Sequence, residues 1–274
     1  MKRSILITGC SSGIGYDAAH TLHKRGYRVF ATCRQEADCE QLRGEGLESF
    51  QLDYADEESL ASAVAETLSR TGGKLDALFN NGAYAIPAAT EDLPRDALRA
   101  IFETNLFGQF DLINRLLPAL RPAGRVVNCS SVLGIAALQM RGSYAATKFA
   151  MEAMTDAMRY ENFESALEFI SIQPGPIPTK IRQNSIPHFE KWVDWENSAL
   201  RETYEKKLLP RLYNPSNKPD RFQLPCSAVT DALIHALETR NPKPRYLVTK
   251  ATVITEMMRR FLPKRALDRI YASM

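Results

Sequence analysis

Ser4-Ile5-Leu6-Ile7-Thr8-Gly9-Cys10-Ser11-Ser12-Gly13-Ile14-Gly15 is the stretch that decides the fold of this chain. A short apolar run comes first. Three glycines follow within seven positions, and a helix-length segment begins there. Glycine permits a tight turn and close backbone approach to a ligand. A helix starting at that turn offers free N–H groups and a partial positive charge to a phosphate. Tight turns use glycine in any case, so the loop alone says little. A strand before it and a helix after it make a phosphate cradle the stronger reading. Gly9, Cys10, Ser11, Ser12, Gly13, Ile14 and Gly15 are its expected lining.

Outward from this loop, β-rich runs alternate with helix-length segments. After Ser4–Thr8 come Arg28–Cys33, Glu48–Asp53, Leu75–Asn80, Arg125–Ser130, Glu168–Gln173 and Arg245–Thr249, seven expected strands in all. Glu57–Thr71 carries Leu60, Val64 and Leu68 at helical spacing. Two longer helices are predicted over Ala97–Leu120 and Ser143–Phe163. Such alternation implies βαβ units and a mostly parallel sheet. Strands that are apolar almost throughout fit a sheet with helices on both faces. No repeat or linker divides the chain, so residues 1–274 read as one domain. The alternation breaks over about 176–244, an interval rich in proline that holds both tryptophans. An insertion there suits a cover over a substrate cleft.

The 274 residues include 35 Lys and Arg against 32 Asp and Glu, with 45% hydrophobic and 24% charged residues. Disorder, collagen and coiled coil are thereby disfavoured. The net charge of +3 hides an asymmetry. Residues 240–274 hold nine basic and two acidic residues, a net +7, and the preceding chain carries −4. A basic nucleic-acid binder is therefore not expected. The five cysteines have no metal-like spacing and the four histidines no metal pattern, so no metal is expected. No run approaches the roughly 18 apolar residues of a spanning helix. Lys2-Arg3 before Ile5-Leu6-Ile7 imitates a signal peptide, but its apolar run is too short. A cytoplasmic location is the expectation.

Dinucleotide sites usually place an acid near the end of the second strand, to bind the adenosine ribose. Here that region reads Ala31-Thr32-Cys33-Arg34. A guanidinium in place of the carboxylate suits a phosphate dianion. The expected cofactor is therefore NADP(H) rather than NAD(H), although Arg34 also reads as a solvated loop residue.

Tyr144-Ala145-Ala146-Thr147-Lys148 places a tyrosine and a lysine on one face at the start of a long helix. Ser131 lies thirteen residues earlier, at the close of the fifth expected strand. In a parallel sheet these positions meet at the ligand crevice. Carbonyl reduction needs a hydride on carbon and a proton on oxygen, and a phenol of pKa about 10 supplies the proton poorly. A Lys148 ammonium about 4 Å away favours the phenolate by at most roughly 4 kcal/mol at an effective dielectric of about 20. Ser131 suits a hydrogen bond to the substrate oxygen. A buried tyrosine beside an exposed lysine is the bland alternative. Ser131, the glycine loop and the strand pattern together outweigh it.

These residues resemble the short-chain dehydrogenase/reductase family from Leu6 to about Thr249. The motifs run in order: Thr8–Gly15, Asp53, Asn80-Asn81-Gly82-Ala83, Asn105, Ser131, Tyr144 with Lys148, and Pro174-Gly175 before Thr179. The resemblance implies a Rossmann-like, doubly wound sheet of seven parallel strands with helices on both faces. It also implies a catalytic set of Asn105, Ser131, Tyr144 and Lys148. Under it, Asn105 holds a water joining Lys148 to solvent, while Asp53 and Asn81 contact the adenosine half of the cofactor. Pro174, Gly175, Ile177 and Thr179 embrace the nicotinamide side, where Tyr144 and Lys148 also bind. The family usually has Asn-Asn-Ala-Gly where this chain has Asn80-Asn81-Gly82-Ala83, and Ala83 tolerates positive φ poorly. The wording is similar to the branch of hydroxysteroid, retinoid and aldehyde oxidoreductases.

The expected activity is the NADP(H)-dependent interconversion of a small apolar aldehyde or ketone and its alcohol. The alternative is a catalytically silent NADPH-binding redox sensor acting through a protein partner. Homo-oligomerisation is expected. Phe189, Trp192, Trp195 and Tyr204 suit an apolar cleft or the packing of the insertion equally. Cys10, Cys33 and Cys129 read as small packing residues near the cofactor. The basic segment 250–274 fits a lid or a subunit interface better than a membrane surface, because Pro263 interrupts its amphipathic run.

Overall fold

The computed structural model describes residues 2–214 and 218–273. Residues 215–217 of the expected insertion lie outside the described residues. The chain order is β1 (Ser4–Thr8), α1 (Gly13–Lys24), β2 (Arg28–Cys33), α2 (Glu36–Gly44), β3 (Glu48–Gln51), α3 (Glu57–Thr71), β4 (Ala77–Asn80), α4 (Arg95–Phe102), α5 (Gly108–Leu120), β5 (Arg125–Cys129), α6 (Gly142–Glu161) and β6 (Glu168–Gln173). It continues with α7 (Ile181–Trp192), α8 (Arg201–Thr203), α9 (Leu209–Tyr213), α10 (Ser227–Glu238), β7 (Arg245–Leu247), α11 (Lys250–Phe261) and α12 (Lys264–Ala272).

All seven strands pair in parallel, in the order β3-β2-β1-β4-β5-β6-β7. The order reverses between β1 and β4, and the crevice outside their C-terminal ends is where ligands bind in such sheets. The two-residue period sorts the strand side chains. Ile5, Ile7, Val29 and Val127 enter one buried layer, where α1 packs on α10. Leu6, Phe30, Val126 and Phe169 enter the other, where α3 meets α5. Side chains buried on both faces account for strands without polar alternation.

Local signals set the helix ends. The Asp56 carboxylate accepts hydrogen bonds from the N–H groups of Glu58 and Ser59 at the start of α3, and Gly72 closes that helix at φ +64°. The single helix predicted over Ala97–Leu120 is instead two helices joined by a π-helical turn, Glu103–Phe107. The cause is tertiary. Asn105 is held by the Tyr84 backbone, and α5 begins so close to the Tyr54 backbone that a Cβ on Gly108 would overlap the Tyr54 carbonyl oxygen.

The insertion divides into two parts. Its first part, through α7 and α9, builds a separate apolar cluster with Ile86, Leu93 and Ile101. Its last helix, α10, buries Val229, Leu233 and Leu237 in the main core against α1. Among the described residues, no helix is long and apolar enough to cross a membrane.

Candidate active site

The expected cradle forms at the C-terminal end of β1. Gly9 and Gly13 adopt φ of +68° and +62°, where side chains are strained. A Cβ on Gly15 would overlap the Gly9 carbonyl oxygen and lie 2.7 Å from the Asn81 Nδ2. Ser12 precedes α1 without a side-chain cap, and the first turn has no acidic residue. The helix therefore presents uncompensated N–H groups beside a loop that only glycine can build. This arrangement fits a dinucleotide pyrophosphate. Gly13 faces Thr179, its Cβ position 3.1 Å from the Thr179 methyl carbon. The loop after β6 thus closes the far side of the cradle.

Beneath the cradle runs a buried polar chain. Tyr54 Oη lies 2.7 Å from Thr8 Oγ1 and 2.8 Å from Asn80 Oδ1. Asn80 Nδ2 donates to Asn128 Oδ1 (3.0 Å), and Asn128 Nδ2 donates to Thr155 Oγ1 (2.9 Å). Thr8 Oγ1 accepts the N–H groups of Asn81 and Gly82. Asn81, expected to face adenosine, spends its side-chain amide on the carbonyls of Thr8 (3.1 Å) and Gly9 (3.2 Å). It braces the loop. Gly82 is absent from the positive-φ residues and so is Ala83, so the swapped order carries no backbone strain. Asp53 is half-buried and accepts the Ala55 N–H. Arg34 is exposed just past β2, its carbonyl receiving the Gln51 side chain.

Ser131, Tyr144 and Lys148 converge at the end of β5. Ser131 lies just beyond the strand, capping the short turn Val132–Gly134, and its Oγ accepts the Leu133 N–H at 3.1 Å. The Val132 N–H donates to the Pro174 carbonyl at 2.8 Å, tying this turn to the Pro174-Gly175 loop. Tyr144 stands in the first turn of α6, its phenol buried within the electrostatic reach of the Ser131 hydroxyl. Lys148, one turn on, is fully buried, and its Nζ donates to the Cys129 carbonyl at 2.7 Å. That Nζ lies 5.7 Å from the Tyr144 ring centroid.

The electrostatics differ from the expectation of a phenol lowered by its lysine. Burial dominates both groups. It pushes the Tyr144 phenol well above its usual value, against the opposing effect of the Ser131 hydroxyl, and lowers the Lys148 ammonium to about 8. Asn105 lies one layer further in. Its carboxamide accepts the Tyr84 N–H (3.1 Å), donates to the Tyr84 carbonyl (2.8 Å) and touches Thr147 Oγ1 (3.3 Å) beside Lys148. Its side chain is thus committed to backbone support.

Sequence reasoning did not identify Tyr54, which bridges two strands and the glycine loop, or the pairing of Tyr84 with His188. Those two rings stack at 3.9 Å and 22°, so α7 reaches the loop after β4. Only tertiary geometry reveals either contact. Phe189 and Tyr204 are fully buried and pack the insertion onto the body, with Tyr204 Oη donating to Asp92 and accepting the Ala89 N–H. Cys10, Cys33 and Cys129 are buried and free, consistent with packing. Among the described residues, no cluster of three metal-ligating side chains occurs.

A glycine-rich cradle at the sheet's switch point is thus joined by Ser131, Tyr144 and Lys148 on the crossover from β5 to β6. The short chain dehydrogenase family model matches residues 3–189, and the chain belongs to that family of oxidoreductases. It is 36% identical over 272 residues to the uncharacterized oxidoreductase YbbO of Escherichia coli K12, covering 98% of this chain and 94% of that one. It is 34% identical over 250 residues to mouse retinol dehydrogenase 7, covering 88% and 79%. A solved short-chain dehydrogenase/reductase from Burkholderia phymatum, in complex with NAD, has the same fold at 20% identity, with a TM-score of 0.79 over 94% of this chain and 93% of that chain.

Proposed function

We propose that this protein is an NADP(H)-dependent oxidoreductase that interconverts an apolar aldehyde or ketone and its alcohol, with Tyr144 as general acid and base. The carrying observation is the convergence of Ser131, Tyr144 and a fully buried Lys148 at the end of β5, with Lys148 Nζ anchored on the Cys129 carbonyl at 2.7 Å and 5.7 Å from the Tyr144 ring centroid. Bound NADP(H) supplies or accepts the hydride. The chain's own residues manage the oxygen and its proton. Ser131 Oγ orients the carbonyl oxygen toward the Tyr144 phenol, which donates its proton as charge develops and recovers it in the reverse direction. The phenol stands high and the lysine low through burial, so a cation entering this pocket shifts the phenol strongly downward. The low dielectric that raises Tyr144 also amplifies that attraction.

Arg34 supports the NADP(H) preference. It is exposed on the loop leaving β2, where an acidic residue would otherwise meet the ribose. Burial raises the Tyr84 phenol and lowers the His188 imidazole, and the Arg34 charge acts on both rings as a smaller influence, which supports a guanidinium within reach of the cleft. The mouse relative's name, retinol dehydrogenase, supports an apolar substrate. The intact Ser131, Tyr144 and Lys148 set supports an enzyme over a silent sensor. Tyr144→Phe should abolish NADPH oxidation across a carbonyl panel, by about 10³-fold or more, while NADPH binding stays near wild type. Near-full turnover by this variant would refute the mechanism.

A further inference from the structure

We propose that the outward face of α11 docks this protein onto an anionic lipid bilayer. Thr252 is the buried anchor of this helix, with Thr255 and Glu256 half-buried beside it. The opposite face is apolar and open. Val253, Met257 and Phe261 follow one another at four-residue spacing, with Ile254 alongside, and they are 44%, 52%, 67% and 44% exposed. A surface helix ordinarily turns that stripe toward its own core. Here it faces solvent. Pro263 does not interrupt the stripe. It falls between α11 and α12, so the twelve residues of α11 form one unbroken amphipathic helix.

Charge selects the occupant. Arg259 pairs with Glu256 and Lys264 with Asp268. Lys250, Arg260, Arg265 and Arg269 enter none of the ion pairs found among the described residues, and all four are exposed. Lys250 and Arg260 flank the stripe, and Arg265 and Arg269 extend the basic surface along α12. Long apolar side chains edged by cations are the pattern of a helix lying in a headgroup layer. A second copy of the chain fits poorly, because a symmetric contact would set these cations against themselves. A twelve-residue helix is also only ~18 Å long and ~10 Å wide. One such face falls well short of the ~800 Å² per partner that a stable dimer takes.

The location gives the contact a use. A Cβ on Gly175 would overlap Thr249 Oγ1 and lie 3.1 Å from Thr252 Oγ1, so the start of α11 supports the Pro174-Gly175 loop directly. The helix also packs on the turn that follows Ser131. Docking would hold the cleft beside the phase into which apolar aldehydes and alcohols partition. That benefit rests on the proposed activity, whereas the docking itself does not.

The test is sedimentation of the full chain with vesicles. Phosphatidylserine-containing vesicles should capture it, and phosphatidylcholine vesicles should capture it far less, with capture falling as salt rises. M257E/F261E should lower capture at least about 10-fold for each lost anchor. R260E/R265E should lower it at least about 30-fold. Turnover of a short, water-soluble aldehyde should be unchanged in both variants. No capture by the wild type, or undiminished capture of M257E/F261E, would overturn the proposal. A concentration-dependent oligomer lost in M257E/F261E would do so as well, by making a second copy the occupant. A wild-type protein that binds vesicles yet turns over no carbonyl would instead refute the activity and leave docking standing.

Discussion

Tyr54→Phe removes one oxygen atom and tests the polar chain beneath the cradle. The Tyr54 hydroxyl is fully buried between Thr8 Oγ1 at 2.7 Å and Asn80 Oδ1 at 2.8 Å. The burial of all three side chains leaves little room for a replacing water. Without the phenol, the Asn80 carboxamide oxygen keeps no proton donor. Leaving a buried acceptor unmade costs about 1–3 kcal/mol. Taking about 2 kcal/mol, a chain of this size should lose roughly 4–8 °C in Tm. Function should follow, because Thr8 Oγ1 also holds the N–H groups of Asn81 and Gly82. A looser Thr8 unsettles Asn81, which braces the glycine loop, so NADPH affinity should fall in the same variant. The assay pairs thermal unfolding with a fluorescence titration of NADPH. Tyr160→Phe, at an exposed position on α6, serves as the control and should stay within about 0.5 kcal/mol of wild type. If Tyr54→Phe melts within about 1 °C of wild type, a loss of well under ~1 kcal/mol, the polar chain is not a supporting network.

Gly15→Ala should fold but bind NADPH at least ~10-fold more weakly, because the new Cβ would displace the Gly9 carbonyl and the Asn81 amide; unchanged affinity would place the cofactor elsewhere. Arg34→Ala should raise KM for NADPH about 10-fold or more while changing KM for NADH little, and equal changes would refute the assignment of Arg34. Lys148 gives a pH signature. Burial lowers it to about 8, below the roughly 10.4 of an unfolded lysine. Between those values the unfolded chain binds the extra proton, so this group's contribution to stability rises with pH. That contribution is complete above about 10.4 and lost as pH falls toward 8, by up to ~3 kcal/mol. The stability of wild type relative to Lys148→Met should therefore rise with pH through this window, as urea midpoints will show. A pH-independent difference would contradict a buried, depressed lysine.

Local rules made most of the fold legible. Each expected strand is present, several ending one or two residues earlier, as Glu48–Asp53 does at Gln51. There the chain leaves the sheet to cap and enter the following element. The glycine loop was equally readable, since Gly9 and Gly13 occupy conformations that their residue type announces. What escaped depends on contacts far apart in sequence. The π-helical turn at Glu103–Phe107 follows from Asn105 reaching Tyr84 and from Gly108 meeting Tyr54, and the apolar spacing of that segment carries no trace of either. The apolar stripe of α10 reads the same whether it packs on a lid or on α1. The sense of the Tyr144 and Lys148 shifts escaped for a related reason. Pairing and burial oppose one another, and sequence spacing reports only the first.

The contact of Gly175 with Thr249 and Thr252 has a consequence for the chain's economy. The last thirty residues are usually where a fold tolerates loss most readily. Here the loop after β6 leans on a threonine contributed after the final strand, and the turn after Ser131 is tied to that same loop. Shortening the chain before Thr252 would take away masonry beneath the reacting groups. Insertions and length changes are therefore expected to concentrate beyond α11, and position 175 should accept no side chain in any descendant of this sequence that keeps its threonines.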